Sequence, residues 1–203
     1  MSIWISKRTP RALILCLALS ACLAVGSGAL RVRPVLGGAI NVAAPAGYCI
    51  DPAGVMERNA TALALIGRCA GATPATRAIL TATVGGKGSG VGIAGQGVEL
   101  ARFFTSSAGR AALSRSGRAR TVQVLETLAF GDAFLIRLTD TSPNPYGPGQ
   151  KESWRAVLGL GGRLVTLTVT GTTAAPLNRD TGRALLGAFL AAMQEANRPA
   201  AAG

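Results

Sequence analysis

The feature that most constrains the fold is the stretch RLVTLTVT at residues 163–170, in which apolar residues alternate with threonines. Alternation with a period of two sends successive side chains to opposite faces of a β-strand. One set is therefore predicted to face a core, and the threonine set is predicted to be half exposed or covered by a helix. The core-facing residues are Val165, Leu167 and Val169, and the residues on the other side are Thr166, Thr168 and Thr170.

Turn and strand signals around this stretch predict an antiparallel sheet. Gly161-Gly162 is a two-residue hairpin signal that joins the strand to another over residues 154–160. Residues 121–126 also alternate, and residues 134–138 are predicted to be their hairpin partner. Further short strands are predicted over residues 39–43, 61–68 and 77–84, and an irregular segment is predicted from Tyr48 through Pro52.

Other stretches predict helices. A short helix is predicted over residues 98–104, and Thr105 or Ser106 can cap a second helix after it. Asp180 or Thr181 is predicted to cap a final helix whose apolar stripe packs on the sheet. The stripe consists of Leu185, Leu186, Phe189, Leu190 and Met193. The predicted class is therefore α+β: a mainly antiparallel sheet with a central helical segment and a C-terminal helix packed on it.

The N-terminus has the pattern of an export signal. Residues 1–11 carry three basic side chains and no acidic one, and the apolar run ALILCLAL follows at residues 12–19. The run ends in LSAC at residues 19–22, which resembles the lipobox of bacterial lipoproteins. In that family the signal is cut before the cysteine, which then carries the lipid. The resemblance implies lipidation of Cys22 and attachment to a membrane.

Two alternatives to lipidation remain open. Residues 12–30 can stay in the membrane as an uncleaved anchor of about the needed length, or the small residues at 26–29 can serve an ordinary signal peptidase. All three hypotheses place the body outside the cytoplasm, in the cell envelope or secreted. The predicted organisation is a signal peptide over residues 1–21 (or an anchor to about residue 30), a linker over 22–38 and a single α+β domain over 39–198.

Export decides how the remaining cysteines are interpreted. Cys49 and Cys69 form a pair in an oxidising compartment, where disulfides persist. A metal site would need more ligands than these two cysteines, and the C-x-x-C motif of redox proteins is absent. The sequence therefore predicts a structural disulfide between Cys49 and Cys69.

The exported body is basic. Removing the first 21 residues leaves a net charge of +9, which favours anionic lipid headgroups or acidic polymers as partners. An envelope protein is the other predicted partner. The densest basic stretch includes Arg102 and predicts an anion patch, with a solvated helical face as the alternative. The patch residues are Arg110, Arg115, Arg118 and Arg120. Nucleic acid is excluded as a partner by the compartment and by an aromatic content of only 4%.

The sequence offers little for catalysis. It contains no histidine, the side chain most used for acid–base work near neutral pH and the commonest metal ligand. Four serines lie in the central helical segment without a base beside them, and three acids are predicted to be solvated turn residues. These are Ser106, Ser107, Ser114 and Ser116, and Asp132, Asp140 and Glu152. We therefore predict no enzyme activity, no cofactor and no catalytic or metal-binding residue.

The glycine-rich loop over residues 85–97 supports an alternative hypothesis, an enzyme or cofactor binder. Three of its glycines satisfy the G-x-G-x-x-G spacing of dinucleotide-binding loops. Glu126 lies 31 residues after the last of them, whereas a ribose-binding acid is expected about 20 residues on. The loop is therefore interpreted as a flexible connector, with Val91 and Ile93 packed against the body. The three glycines are Gly90, Gly92 and Gly95.

A partner-binding surface is predicted from Tyr146, Trp154 and Arg155. Tyrosine and tryptophan combine apolar area with a polar tip, and arginine is enriched beside them at interfaces. For Trp154 itself, the favoured interpretation is that it fills the core at the start of its strand, and a binding role is the alternative. The favoured function is a non-catalytic envelope protein that binds a partner or assists assembly.

Residues 154–193 resemble the C-terminal half of PsbP-like α/β/α sandwiches. The resemblance rests on a strand, a tight turn, the stretch GRLVTLTVTG, a polar loop with Pro176 and an amphipathic helix. PsbP-like proteins act as binding or assembly subunits, so the resemblance implies a binding role, and it transfers no functional residue. The chain as a whole resembles small exported proteins of high-GC bacteria.

Overall fold

A computed structural model describes residues 30–72, 76–143 and 149–199. Its centre is a seven-stranded antiparallel sheet, ordered β3-β4-β5-β9-β8-β7-β6, and a separate β1–β2 hairpin packs beside it. With the three helices, this confirms the predicted α+β class. The strands are β1 (Val32–Val35), β2 (Ile40–Ala43), β3 (Tyr48–Arg58), β4 (Thr61–Arg68), β5 (Ala78–Lys87), β6 (Val122–Phe130), β7 (Ala133–Asp140), β8 (Gly149–Leu160) and β9 (Arg163–Thr172). The helices are α1 (Gly97–Thr105), α2 (Ser107–Leu113) and α3 (Arg179–Ala196), and a 3₁₀ turn spans Ala119–Thr121.

The first face of the sheet carries the larger core. β9 lies between β5 and β8, and its three alternating apolar residues are at most 1% exposed. The apolar stripe of α3 lies in the same core, which confirms the predicted packing of the C-terminal helix on the sheet. Burial of each such large apolar side chain stabilises the fold by about 1.5–3 kcal/mol. The fully buried members of the stripe are Leu186, Phe189, Leu190 and Met193.

The second face, which carries the threonines of β9, is covered only in part. α1 and α2 pack over β6, β7 and β8, where Phe104 stacks on Phe134 with ring centroids 5.9 Å apart. Ser106 accepts a hydrogen bond from the amide of Gly109 at 3.2 Å, which confirms its predicted role as the N-cap of α2. The part of this face formed by β4 and β5 stays open, with Leu65 and Ile79 39% and 40% exposed.

Turn chemistry fixes the β8–β9 register. Gly161 and Gly162 have φ angles of +52° and +71°, which is the geometry that the two-residue hairpin signal predicts. Trp154 pairs with Val169, and Arg155 pairs with Thr168. Because neighbouring residues of a strand point to opposite faces, Trp154 lies on the first face and Arg155 on the second.

Residues 30–38, predicted as part of a linker, instead belong to the folded body. β1 pairs with β2 along its length, and Val35 is 1% exposed. Gly37 and Gly38 have φ angles of +68° and +87°, so this glycine pair forms a hairpin turn and does not end a linker. The carbonyl of Leu30 accepts a hydrogen bond from the amide of Ile50 at 2.8 Å, which ties the chain to β3.

Two further local predictions are corrected. The segment from Tyr48 to Pro52 was expected to be irregular, but it begins β3, an edge strand whose register shifts between Ile50 and Val55. An edge strand tolerates a proline and a bulge because one side of it makes no ladder hydrogen bonds. The N-cap of α3 is Asn178, not Asp180 or Thr181, since the Asn178 side chain accepts the Thr181 amide at 2.8 Å.

The glycine-rich loop is not the flexible connector that was predicted. The amides of Gly88 and Gly90 both donate to the carbonyl of Gly162, and Ser89 Oγ accepts the amide of Leu164 at 2.9 Å. A Cβ on Gly90 would overlap the backbone of Arg163. Ile93 packs on the core of the second face as expected, whereas Val91 is 79% exposed. Gly90 therefore allows a close backbone approach, whereas Gly88, Gly92 and Gly95 have positive φ angles in turns, and the amides of Gly88 and Gly90 are already used.

The predicted disulfide is confirmed. Cys49 near the start of β3 is bonded to Cys69, one residue beyond β4, with the two Cα atoms 4.9 Å apart. The bond joins the edge strand to its neighbour beside the Leu30–Ile50 contact. None of the helices described here is both long enough and apolar enough to cross a bilayer.

We expect loss of the disulfide to destabilise the body without changing its fold. The bond closes a loop with a sequence separation of 20 residues, for which loop entropy gives about 3 kcal/mol of unfolding free energy. Denaturant titration of the full chain, oxidised and reduced, measures the difference. The double variant Cys49→Ser/Cys69→Ser should match the reduced protein, and an unchanged unfolding midpoint in both would contradict the expectation.

Candidate binding surface

The open part of the second face presents a row of threonine hydroxyls. Thr81 pairs with Thr168, and Thr83 pairs with Thr166, across the β5–β9 ladder. None of the side-chain hydroxyls makes a hydrogen bond to another residue in the described part of the chain. They are therefore free to meet water or a partner. The row consists of Thr81, Thr83, Thr166, Thr168 and Thr170.

Apolar side chains adjoin this row on β3, on β4 and at the start of β5. Leu65 pairs with Thr81, Ile79 pairs with Thr170, and Met56, which pairs with Leu63, is 56% exposed. Isolated exposed apolar residues are common on proteins, but neighbouring ones on the same face of a sheet favour an interaction surface. We call the eight residues Met56, Leu65, Ile79, Thr81, Thr83, Thr166, Thr168 and Thr170 the open half-face.

Arg155 lies at the border between the open half-face and the part covered by α1 and α2. It pairs with Ile136 of β7 on one side and with Thr168 of β9 on the other. The side chain is half-buried, and its Nε is buried without a hydrogen-bond partner among the described residues. No carboxylate of those residues lies within salt-bridge distance of it.

The electrostatics of Arg155 reflect this isolation. Burial lowers the pKa of Arg155 to about 10, because the charged form loses solvation. Asp140 acts in the opposite direction, and the positive charge of Arg115 adds to the lowering. Arg155 is therefore a poorly compensated cation that an incoming anion would stabilise.

Asp140 is fully buried and cannot serve as the partner of Arg155. Its carboxylate accepts the amides of Arg115 and Ser142, each at 2.9 Å, and the Arg115 guanidinium lies 3.6 Å away. Burial alone would raise the pKa of Asp140, but these hydrogen bonds and the Arg115 charge outweigh it, so the pKa lies below its ordinary value. The expectation of a solvated turn residue is wrong for Asp140.

Four hydroxyls form a closed cluster beside Asp140. Ser114 Oγ lies 2.7 Å from Thr121 Oγ1 and 3.1 Å from Ser142 Oγ, and Ser116 Oγ lies 2.9 Å from Ser142 Oγ. The hydroxyls bond one another, and the Thr121 hydroxyl also reaches the carbonyl of Arg118. No histidine exists in the chain to deprotonate any of them. The cluster braces the end of α2 against β6 and β7.

The predicted surface of Tyr146, Trp154 and Arg155 is not one surface. Trp154 is 2% exposed, and its Nε1 donates to the carbonyl of Arg179 at 3.0 Å. An added Cβ on Gly182 would lie 2.6 Å from the Trp154 ring, so the indole fills the core under α3. Tyr146 lies outside the described residues. Of the two residues that the structure describes, only Arg155 lies on the second face, and the prediction for Tyr146 stays a prediction.

The arginines of the predicted anion patch fall into two groups: some donate hydrogen bonds within the chain, and others are exposed. The Arg115 guanidinium donates to the carbonyls of Asp140 and Ser142, at 3.0 and 2.8 Å, and Arg110 donates to the carbonyl of Thr105. Arg120 is exposed on the 3₁₀ turn, Arg118 is exposed just before it, and Arg102 is exposed on α1. Arg115 is thus a structural residue, and the patch stays a prediction for the others.

The remaining acids do not form a catalytic pair. Glu152 bonds Arg137 at 3.1 Å, and Glu126 bonds Arg179 at 2.7 and 2.8 Å, which lowers the pKa of Glu126. Asp132 is exposed in the β6–β7 turn. Among the described residues, no three acids or cysteines come close enough together to hold a metal ion.

A cavity of about 300 Å³ opens at the N-terminus of α3. Its described lining includes Arg77, Leu177 and Asn178 and the hydroxyl-bearing Thr76 and Thr181, and it includes no acid. Its single charged side chain, Arg77, is exposed. The cavity shows no arrangement of groups that points to a particular ligand.

Sequence reasoning missed the apolar half of the candidate surface. Leu65 and Ile79 were assigned to strands without a face, because short strands of small and apolar residues do not reveal which side is covered. The threonine alternation in β9 was the usable signal, and TAT at residues 81–83 repeats it in β5. Threonines that pair across two adjacent strands indicate a sheet face that is not covered by a hydrophobic core.

No protein family model matches the chain, and no curated protein matches it. Among solved structures, the chain is similar to a mutant of the protein Mog1 and to the Saccharomyces cerevisiae Ran-binding protein Mog1p. Each is 12% identical, with a TM-score of 0.43 over 81% of this chain and 93% or 92% of the other. A likeness this distant carries no conclusion about this chain, and the PsbP-like resemblance stays a prediction.

We expect Asp140→Asn to destabilise the body in a pH-dependent way. Removing the buried charge weakens the hydrogen bonds from Arg115 and Ser142, which costs about 2–3 kcal/mol at pH 7. Since the folded pKa lies below the ordinary value, the carboxylate stabilises fully above about pH 4 and loses this effect as pH falls through the folded pKa.

Urea titration of both proteins between pH 3 and pH 8 measures the difference. The matched control is Asp132→Asn, whose exposed side chain should shift the midpoint by less than about 0.5 kcal/mol. A difference between wild type and Asp140→Asn that stays constant over this range would contradict the assignment.

Proposed function

We propose that this chain is a non-catalytic envelope protein, exported and held at a membrane by a lipid on Cys22, which binds a segment of a partner protein on the open half-face. The observation that carries the proposal is the uncovered part of the second face. It combines exposed Leu65 and Ile79 with unpaired threonine hydroxyls and a poorly compensated Arg155.

The shape and chemistry of the surface favour a protein over a small molecule. Small-molecule sites are concave and bury most of their ligand. The open half-face is formed by four adjacent strands, β3, β4, β5 and β9, with exposed apolar side chains on β3 to β5 and hydroxyls on β5 and β9. An apolar centre with polar groups around it is typical of protein interfaces.

The charge of the body supports an acidic partner. Three of the 21 basic residues precede residue 30, whereas all nine acidic residues follow it, so the described body keeps an excess of positive charge. Several acids are already paired with arginines of this chain, including Glu126 and Glu152. Electrostatic complementarity accelerates association and suppresses wrong partners.

The absence of catalytic machinery among the described residues supports a binding role. Asp140 is saturated by hydrogen bonds, and the hydroxyls of Ser114 and Ser116 bond other hydroxyls. Two amides of the glycine-rich loop are donated to Gly162, so that loop does not offer the row of free amides that binds phosphates.

The position of Leu30 is compatible with a lipid on Cys22. Leu30 lies eight positions after Cys22, so a lipidated Cys22 would hold Leu30 within about 28 Å of the membrane surface. Leu30 contacts Ile50 on β3, the edge strand that also carries Met56 of the open half-face. The partner would accordingly be another protein of the same envelope compartment.

Site-specific photo-crosslinking tests the binding surface. The full chain with benzoylphenylalanine at position 65 or 79 is expressed in its native host and irradiated. It should yield one discrete adduct with an envelope protein. The same label at Val98, which is 68% exposed on α1, is the matched control and should not. Ile79→Asp should reduce the adduct from position 65 at least tenfold, because it places a charge in the apolar contact.

Other results would overturn this assignment. Equal amounts of adduct from positions 65 and 98 would show that the partner does not bind preferentially to the open half-face. An adduct with a second copy of the chain, with its own N-terminal segment or with lipid would replace the partner protein by that occupant. Circular dichroism of Ile79→Asp should remain that of the wild type, which separates loss of binding from loss of folding.

Lipidation is tested separately. Metabolic labelling with a radioactive fatty acid should label the chain, and Cys22→Ser should abolish the label because the acceptor thiol is gone. Cys16→Ser is the matched control, since that cysteine lies within the signal and should leave labelling unchanged. Membrane retention of Cys22→Ser without any label in either protein would favour the uncleaved anchor.

A further inference from the structure

Arg155 has a binding capacity that the fold does not use. A guanidinium has five N–H donors, and none of those of Arg155 bonds another described residue. The contrast is Arg137, which lies on the adjacent strand and pairs with Glu126 and Glu152 at 3.5 and 3.1 Å. Arg155 is thus an isolated cation in a half-buried position, which costs free energy unless an anion meets it.

Of the two strands that flank β8, only β9 supplies hydroxyl donors beside Arg155, and along β8 itself Ser153 lies two residues earlier on the same face. Thr168 lies directly opposite on β9, where paired side chains have Cβ atoms about 5 Å apart. Thr166 and Thr170 occupy the diagonal positions, about 7–8 Å away. On the other side lies apolar Ile136 of β7. A group bound to the guanidinium from the open half-face would therefore also meet the threonine hydroxyls.

The charge balance selects the kind of anion. Among the described residues, Asp140 is the one acid that influences the pKa of Arg155, and its oxygens are occupied by Arg115 and Ser142. One uncompensated guanidinium matches one negative charge, and the fork of Arg fits a carboxylate through two parallel hydrogen bonds. A phosphate dianion would call for a second cation, but Arg115 is already bonded to Asp140 and Ser142.

We propose that Arg155 is a carboxylate subsite of the open half-face, which takes the side chain of one aspartate or glutamate of the docked partner segment. This inference rests on the proposed function, and it states which kind of partner segment the open half-face would select. The apolar residues Leu65 and Ile79 supply contact area, and Arg155 decides which segment binds, because a neutral residue at that place leaves the guanidinium unpaired.

A titration with small probes tests the subsite without the partner. Sodium acetate, added to the full chain in detergent at constant ionic strength, should shift the Arg155 Nε–Hε NMR resonance, with half-saturation on the order of tens of millimolar. Acetamide should produce no shift, and Arg155→Lys should remove the signal, which assigns it. An equal response to acetamide, or a stronger response to inorganic phosphate, would overturn the carboxylate subsite.

Thermal unfolding provides a second and independent measurement. Arg155→Met should leave the unfolding midpoint unchanged or raise it by about 2–4 °C, because an unpaired cation is replaced by an apolar side chain of similar length. The matched control Arg137→Met should lower the midpoint, since it leaves Glu126 and Glu152 without their partner. A drop in Arg155→Met as large as that of Arg137→Met would mean that Arg155 is a structural residue.

The crosslinking assay separates failure of the subsite from failure of the proposed function. With the label at position 79, Arg155→Met should reduce the partner adduct at least tenfold, and Arg155→Lys should reduce it less. A full adduct in Arg155→Met would overturn the subsite and leave the docking surface standing. Absence of any adduct in the wild type, together with saturable acetate binding, would overturn the docking surface and keep the carboxylate site.

Discussion

The rest of the structure depends on the burial of β9 between β5 and β8, beneath α3. Val165, Leu167 and Val169 are removed from water on the first face, and the strand can do this only by turning its threonines to the second face. The hydrophobic effect thus fixes the position of polar groups that it does not itself stabilise. The open half-face is a consequence of how the core is made, and its neighbours in β4 and β5 follow from the register.

The same constraint explains how far the sequence could be read. Period-two alternation, the Gly161-Gly162 turn and the stripe on α3 predicted the sheet, the hairpin and the packing helix, since each depends on local pattern. The role of residues 30–38 and the burial of Asp140 depended on contacts between distant parts of the chain. Such contacts produce no periodic pattern in the sequence. Strand β1 and its turn into β2 were therefore predicted as a linker, and the buried Asp140 was predicted as a turn residue.

The candidate surface shows the same division. Arg155 was singled out from composition, together with Trp154, but the two residues are neighbours on a strand and so face opposite sides. Trp154 became core and Arg155 remained at the surface. What composition could not show is that α1 and α2 cover β6 to β8 and leave Leu65 and Ile79 exposed. Which strands of the sheet are covered depends on where the helices pack, and the sequence of a single strand does not contain that information.

The attachment of the chain at Leu30 has a mechanical consequence. Any pull on the N-terminus reaches the body first at the hydrogen bond between Leu30 and Ile50, one residue from the disulfide at Cys49. The disulfide links β3 covalently to the end of β4. The part of β3 beyond Cys49 therefore cannot be pulled off the sheet from the N-terminus unless this disulfide breaks. The first element to yield under tension would be the β1–β2 hairpin, and the sheet that carries the threonine row would keep its shape.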